Sequence, residues 1–239
     1  MKEWYQMNEE EVLKMLDADK NGLSSERAEE LLKMNGENVL QESKKKSALR
    51  VFAEQFADLL VIILIIAAII SMVSGNVEST IVIFAVITMN AILGTVQHEK
   101  AEKSLASLKT LSAPTAKVLR GGVKGEIPSA KVVKGDILLL EAGDMVTADG
   151  RILESYSLQV NESSLTGEST NVEKKAVVLE GEQALGDRIN MVYSGSLVTG
   201  GRAVVLVTAT GMETEIGKIA ALMNATKGKR TPLQVSLDK

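Results

Sequence analysis

The sequence predicts an α+β membrane chain: a helical N-terminal segment, a transmembrane helical hairpin with a stalk, and a mostly β domain. Three observations carry that prediction. Leu59–Val73 and Thr80–Val96 contain no charged residue and are joined by only Ser74–Ser79. From Ala116 to Thr208 the pattern changes to short apolar-rich runs separated by glycine turns, which is how strands read. Before residue 42, apolar residues recur at helical spacing among charges, as on a helix with one buried face.

Composition narrows the function classes. Lys and Arg number 27 against 31 Asp and Glu, a net charge of −4, so no nucleic-acid footprint is expected. There is no cysteine, which excludes disulfides and thiolate metal sites and leaves the redox compartment open. The N-terminus begins Met-Lys-Glu-Trp-Tyr-Gln, without the apolar core of a signal peptide.

Taken in order, residues 1–50 form the N-terminal segment. Val12, Leu13, Met15 and Leu16 give the first helical stripe. Asp19-Lys20-Asn21-Gly22 is a turn, and Ser24 is positioned to cap a second helix that ends at Asn35-Gly36. The acidic turn is no calcium loop, because Ala28 stands where the closing bidentate Glu would be needed. Lys44–Lys46 and Arg50 then make a basic collar. The first span is expected over 51–74 and the second, with its stalk, over 79–111. Each uncharged run is short against the roughly 20 residues a bilayer requires, and the flanks complete it. Lys100, Lys103 and Lys109 follow the second span, whereas the connection carries Glu78 and no basic residue. The positive-inside rule therefore places both ends in the cytoplasm. Asn90 is the one amide inside the second span, suited to bonding a neighbouring helix. Ala101, Leu105, Leu108 and Leu111 continue the helical spacing, with no Gly or Pro between Gly94 and Pro114, so the span continues as a rod.

The β region comprises a hairpin at Ala116–Arg120 and Val123–Ile127, then strands at Ile137–Glu141, Arg151–Ser155, Leu158–Asn161, Met191–Ser194 and Arg202–Thr208. Thr214–Met223 reads as a short helix. After Leu158–Asn161 the polar cluster Glu162-Ser163-Ser164 breaks into a loop carrying Leu165-Thr166-Gly167-Glu168-Ser169. Gly167 allows a tight turn. Glu168, between the hydroxyls of Thr166 and Ser169, is a carboxylate able to orient a water or take its proton.

The order of the motifs carries a resemblance. Gly36-Glu37-Asn38-Val39-Leu40, Gln55–Leu60 and Asn90–Gly94 are followed by Val133–Ile137, Glu141–Asp144 and Ala148-Asp149-Gly150-Arg151. Then come Glu162–Ser169, Thr210–Ile219 and Thr231-Pro232-Leu233-Gln234. Together they resemble the N-terminal part of P-type cation-transporting ATPases, in particular bacterial calcium pumps. Four positions depart from the usual pattern: Glu37, Thr147, Asn161 and His98 stand where Pro, Pro, Asp and Glu are common.

The resemblance implies that residues 112–230 form the actuator domain, a distorted jelly roll, and that 231–239 leads toward a third transmembrane helix. It implies that Thr166, Gly167, Glu168 and Ser169 form the catalytic loop. That loop docks on an aspartyl-phosphate made elsewhere in the pump, and Glu168 activates the water that hydrolyses it. The partners implied are the lipid bilayer, the phosphorylation and nucleotide-binding domains, later transmembrane helices and a transported cation, calcium. Mg and ATP are implied for the full-length pump, and no cofactor or metal for this chain. The setting implied is a bacterial cell membrane.

The phosphorylatable Asp-Lys-Thr-Gly string does not occur; the chain ends at Asp238-Lys239. The expectation is therefore a fragment of a pump that hydrolyses no ATP by itself. The alternative is a membrane-anchored binding or regulatory module with this fold and no catalysis.

Overall fold

The structure, a computed structural model, describes residues 2–40, 47–111, 114–168 and 170–226. The collar at Lys44–Lys46, Ser169 and the stretch from Lys227 to Lys239 lie outside these. The chain divides into two compact units, Met1–Gln41 with Pro114–Lys239, and Glu42–Ala113.

In the first unit, α1 (Glu9–Met15) starts at Asn8, whose side chain accepts the Glu11 N–H while Glu11 bonds back to the Asn8 N–H. This reciprocal cap satisfies donors a helix start leaves free. α2 (Ser25–Asn35) starts at Ser24, whose hydroxyl accepts the Arg27 N–H, and ends at Gly36 with φ 80°.

The second unit is helical. α3 (Ala48–Gln55) and α4 (Leu59–Val73) are bent by 63° at the break between them. The sequence led to one first span over 51–74; the structure breaks it because Asp58 turns its carboxylate onto the Leu60 N–H at 2.9 Å and starts a new helix. By itself α4 is about 22 Å long, short of the ~30 Å hydrocarbon core. The next helix, α5 (Val77–Leu111), runs unbroken through 35 residues and is long and apolar enough to cross a membrane. α4 and α5 bury Ala68, Ile87 and Ala91. Gly94 admits the Gln55 side chain, whose Oε1 would lie 2.7 Å from a Cβ there. Much of the remaining apolar surface of both helices is exposed, Leu59, Ile70, Ile81 and Met89 among it. Asn90 is exposed as well.

The rest of the first unit is a β-domain. Its strands are β1 (Thr115–Arg120), β2 (Val123–Pro128), β3 (Ile137–Glu141) and β4 (Asp149–Asn161). After a one-turn helix, α6 (Ser163–Thr166), come β5 (Asn171–Lys174), β6 (Met191–Val192) and β7 (Leu197–Ala209), and α7 (Glu215–Thr226) closes the described residues. The seven strands form one sheet in the order β2-β1-β3-β7-β4-β5, with β6 on β4. Every pairing is antiparallel. The expected strands Arg151–Ser155 and Leu158–Asn161 are one strand: β4 is bent where Ser157 takes φ 51° and the register against β7 shifts. Opposite this bulge Gly201 has φ 72°, and a Cβ there would collide with the Ser157 carbonyl, so only glycine fits.

Alternation along the strands fills two cores. Leu138, Leu140, Val205 and Val207 point to one side with Val118, Ile152, Leu158 and Val160. Ile137 and Leu206 point to the other, where Met7, Val12 and Leu13 cover them. The N-terminal helices therefore form the second layer of the β-domain.

Candidate functional site

The loop marked out in the sequence connects β4 to β5. The last paired residues are Asn161 and Asn171. Asn161 Oδ1 accepts the Ser163 N–H at 3.1 Å and turns the chain into α6. The Glu162 carbonyl then gathers three donors: the Leu165 N–H at 2.9 Å, the Thr166 N–H at 3.0 Å and the Thr166 hydroxyl at 3.1 Å. Gly167 ends the turn with φ 79° and ψ −4°, its N–H on the Ser163 carbonyl at 3.1 Å. This left-handed cap is cheap for glycine. The space around Gly167 is open, so the backbone angle is what selects it. The Glu168 N–H donates to Thr166 Oγ1 at 3.3 Å.

Thr166, Gly167 and Glu168 are all exposed. The carboxylate thus stands on the outside of the β-domain at the tip of an ordered turn, free to meet a group brought to it. Of the four predicted site residues the structure brings these three together; Ser169 is outside the described residues.

What holds the loop from below was not read from the sequence. Glu162 and Lys174 are 1% and 0% exposed, and Lys174 Nζ lies 2.7 Å from Glu162 Oε1. Burial pushes the Glu162 carboxyl above its usual range and the Lys174 ammonium below it, and each charge opposes the other's shift. The signal lies in the pairing: β5 places Lys174 opposite the fully buried Leu158, and an inward Lys requires an inward counter-charge. Leu165 packs on the Tyr5, Met191 and Tyr193 cluster, and the Ser164 hydroxyl donates to the Gly195 carbonyl at 3.3 Å.

Two further motif residues are fasteners. Asp149 is 4% exposed. Its Oδ1 accepts the Ser194 N–H at 2.8 Å and its Oδ2 the Glu215 N–H at 2.7 Å, at the start of α7. Burial raises its pKa to about 6, against the lowering effect of those two bonds. The fold keeps the proton up to about pH 6, whereas an ordinary Asp releases it near 3.8. Between these values the folded state binds more protons, so this group's share of stability falls as pH rises. Asp149→Asn turns an amide N–H₂ toward a backbone N–H and is expected to cost about 1–3 kcal/mol. Taking that cost at pH 4, chemical denaturation at pH 4 and pH 7 should show the gap to wild type narrowing by roughly 2 kcal/mol with rising pH; a gap that does not narrow would contradict this role. Asn38, in the N-terminal motif, donates to the Ser129 and Thr147 carbonyls and accepts the Gly211 N–H at 2.7 Å.

Among the described residues no group of three or more His, Asp or Glu is placed to hold a metal ion. An exposed carboxylate on a glycine-capped turn, carried by a buried hairpin base, is equipped to act on a group supplied from outside.

Comparison with known proteins agrees with the motif order. Residues 110–224 match the P-type ATPase actuator domain, and residues 4–71 match the N-terminus of cation transporters and ATPases. The chain belongs to the P-type cation-transporting ATPases. A calcium-transporting ATPase of Listeria monocytogenes is 45% identical over 99% of this chain and 27% of its own length. One from Lactococcus lactis is 46% identical over 98% of this chain and 27% of its length. A sodium/potassium exporting P-type ATPase of Schizosaccharomyces pombe is 41% identical over 87% of this chain and 20% of its length. The chain therefore spans about a quarter of the length of these bacterial relatives.

Proposed function

We propose that this chain is the N-terminal portion of an ATP-driven cation pump, with calcium as the transported ion, and that Glu168 acts in hydrolysis of its aspartyl-phosphate intermediate. The observation that carries the proposal is the exposed Glu168 on a fixed turn, in a chain similar to proteins named calcium-transporting ATPases. The Glu168 carboxylate takes a proton from a water. That water's oxygen bonds to phosphorus as the bond from phosphorus to the aspartyl oxygen breaks, leaving a free carboxylate and inorganic phosphate. The phosphorylated Asp, the ATP and its Mg lie in parts of the pump beyond this chain.

The helices fit the membrane half of the same reading. α3 with α4 and α5 span a bacterial membrane with both ends in the cytoplasm, a reading the Lys and Arg distribution supports. The stiff α5, separated from β1 by residues 112–114, couples movement in the bilayer to the β-domain. A hydrolytic loop that engages only after such movement links phosphate release to transport.

The test is a chimera in which this chain replaces the aligned N-terminal region of the Listeria monocytogenes relative. Calcium-dependent ATP hydrolysis and calcium uptake into vesicles are the expected results. A chimera that inserts and is phosphorylated but never releases phosphate would support the non-catalytic module instead.

A further inference from the structure

We propose that the buried Glu162–Lys174 pair is a positioning device that fixes the height and direction of Glu168. The proposal rests on reading Glu168 as the base. Contacts lead from the pair to the backbone of Glu168 without interruption. Lys174 Nζ holds Glu162 Oε1 at 2.7 Å. The Glu162 carbonyl holds the Thr166 N–H and hydroxyl at 3.0 and 3.1 Å, and Thr166 Oγ1 accepts the Glu168 N–H at 3.3 Å. Moving the Glu162 side chain therefore moves the turn that carries the base.

Beside the pair, the loop is tethered by Leu165 on its apolar cluster and by the Ser164 hydroxyl on the Gly195 carbonyl. Among its described residues Glu162 alone is buried; Leu165 is half-buried and the rest are exposed. β5 is only four residues long, so few ladder bonds fix the hairpin end. Stability does not explain the pair, since a buried ion pair adds little to a fold that apolar side chains of similar size could fill equally well. Direction does explain it. Lys174 also lies 3.5 Å from the Arg188 carbonyl and 5.7 Å from the centroid of the Tyr193 ring. The one close cation gives the Glu162 carboxylate a preferred position in this interior, where an apolar contact would allow it to slide.

Single substitutions strand a buried charge, so the test uses the matched change Glu162→Leu with Lys174→Met. In the chain itself, held in detergent, amide exchange is followed by NMR. The Leu165 and Thr166 amides, which bond the Glu162 carbonyl, are expected to exchange about tenfold faster, while Val160 and Val172 in the flanking strands stay within about threefold. Loop and strand amides changing together, or neither changing, would overturn the proposal. The chimera gives the second readout. Phosphoenzyme decay should slow about tenfold in the double variant with phosphorylation from ATP unaltered. Glu168→Gln in the same chimera separates the two claims. If it leaves decay unchanged, the base assignment fails. If it slows decay while the double variant does not, the positioning role alone fails.

Discussion

Glu168→Gln is expected to trap the phosphorylated enzyme. In the chimera described above, phosphorylation from ATP should proceed, because that step uses none of the groups on this loop. Decay of the phosphoenzyme should slow by about 10²–10⁴-fold, the usual contribution of a positioned general base, or roughly 3–5 kcal/mol of barrier. The amide is nearly isosteric with the carboxylate but cannot accept the water's proton. The change sits at an exposed position, and Thr166 Oγ1 meets the backbone N–H of residue 168, not its side chain. Folding should therefore be untouched, with a melting profile overlaying wild type. Quench-flow measurement of phosphoenzyme formation and decay decides the matter. Decay within about threefold of wild type would remove Glu168 from the chemistry.

How far the sequence reached depended on whether the informative contact was local. The Ser24 cap, the Gly36 stop and the tight turn at Gly167 were all legible, because each is a backbone requirement met within a few residues. The exposure of Glu168 followed from the polar cluster before it. The break before α4 was missed because the apolar run on either side outweighed one acidic residue in the reading; Asp58 outweighs it physically by capping a new helix. β5 was missed because Asn171-Val172-Glu173-Lys174 carries one apolar residue and is a strand only by pairing with β4. The second layer was partly signalled. Ile137–Leu140 and Ala203–Val207 are apolar without alternation, which is how strands read when both faces are covered. Nothing local names the cover, Met7, Val12 and Leu13, more than a hundred residues away. The Ala148–Arg151 motif was visible as a string, while its work, Asp149 on α7 and Arg151 on the N-terminal segment, exists only across those distances.

Arg151 gives the largest expected effect on the fold. It is 3% exposed, and burial lowers its pKa to about 10, so it stays charged at neutral pH. Its NH1 donates to the Ile152 and Asn190 carbonyls at 2.6 and 3.3 Å, and its NH2 to those of Met7 and Val177 at 3.2 and 2.7 Å. Removing a buried charge returns some desolvation energy, so the cost depends on which acceptors are orphaned. The Asn190 carbonyl keeps the Ile152 N–H at 2.9 Å, and the Val177 carbonyl keeps Asn190 Nδ2 at 2.6 Å. The loss therefore falls on the Ile152 and Met7 carbonyls, the latter at the point where the N-terminal segment is tied beneath β4, and on the cavity left behind. Arg151→Ala is expected to cost about 2–4 kcal/mol, a large part of the 5–15 kcal/mol typical of a domain. Arg151→Lys should recover little, because one ammonium on a shorter reach cannot serve carbonyls that a planar fork addresses from both nitrogens. Limited proteolysis should find the new weakness in residues 3–16 before any cut in the sheet. Denaturation of Arg151→Ala within about 1 kcal/mol of wild type, or first cleavage inside β4 or β7, would show that the two layers hold together without this clamp.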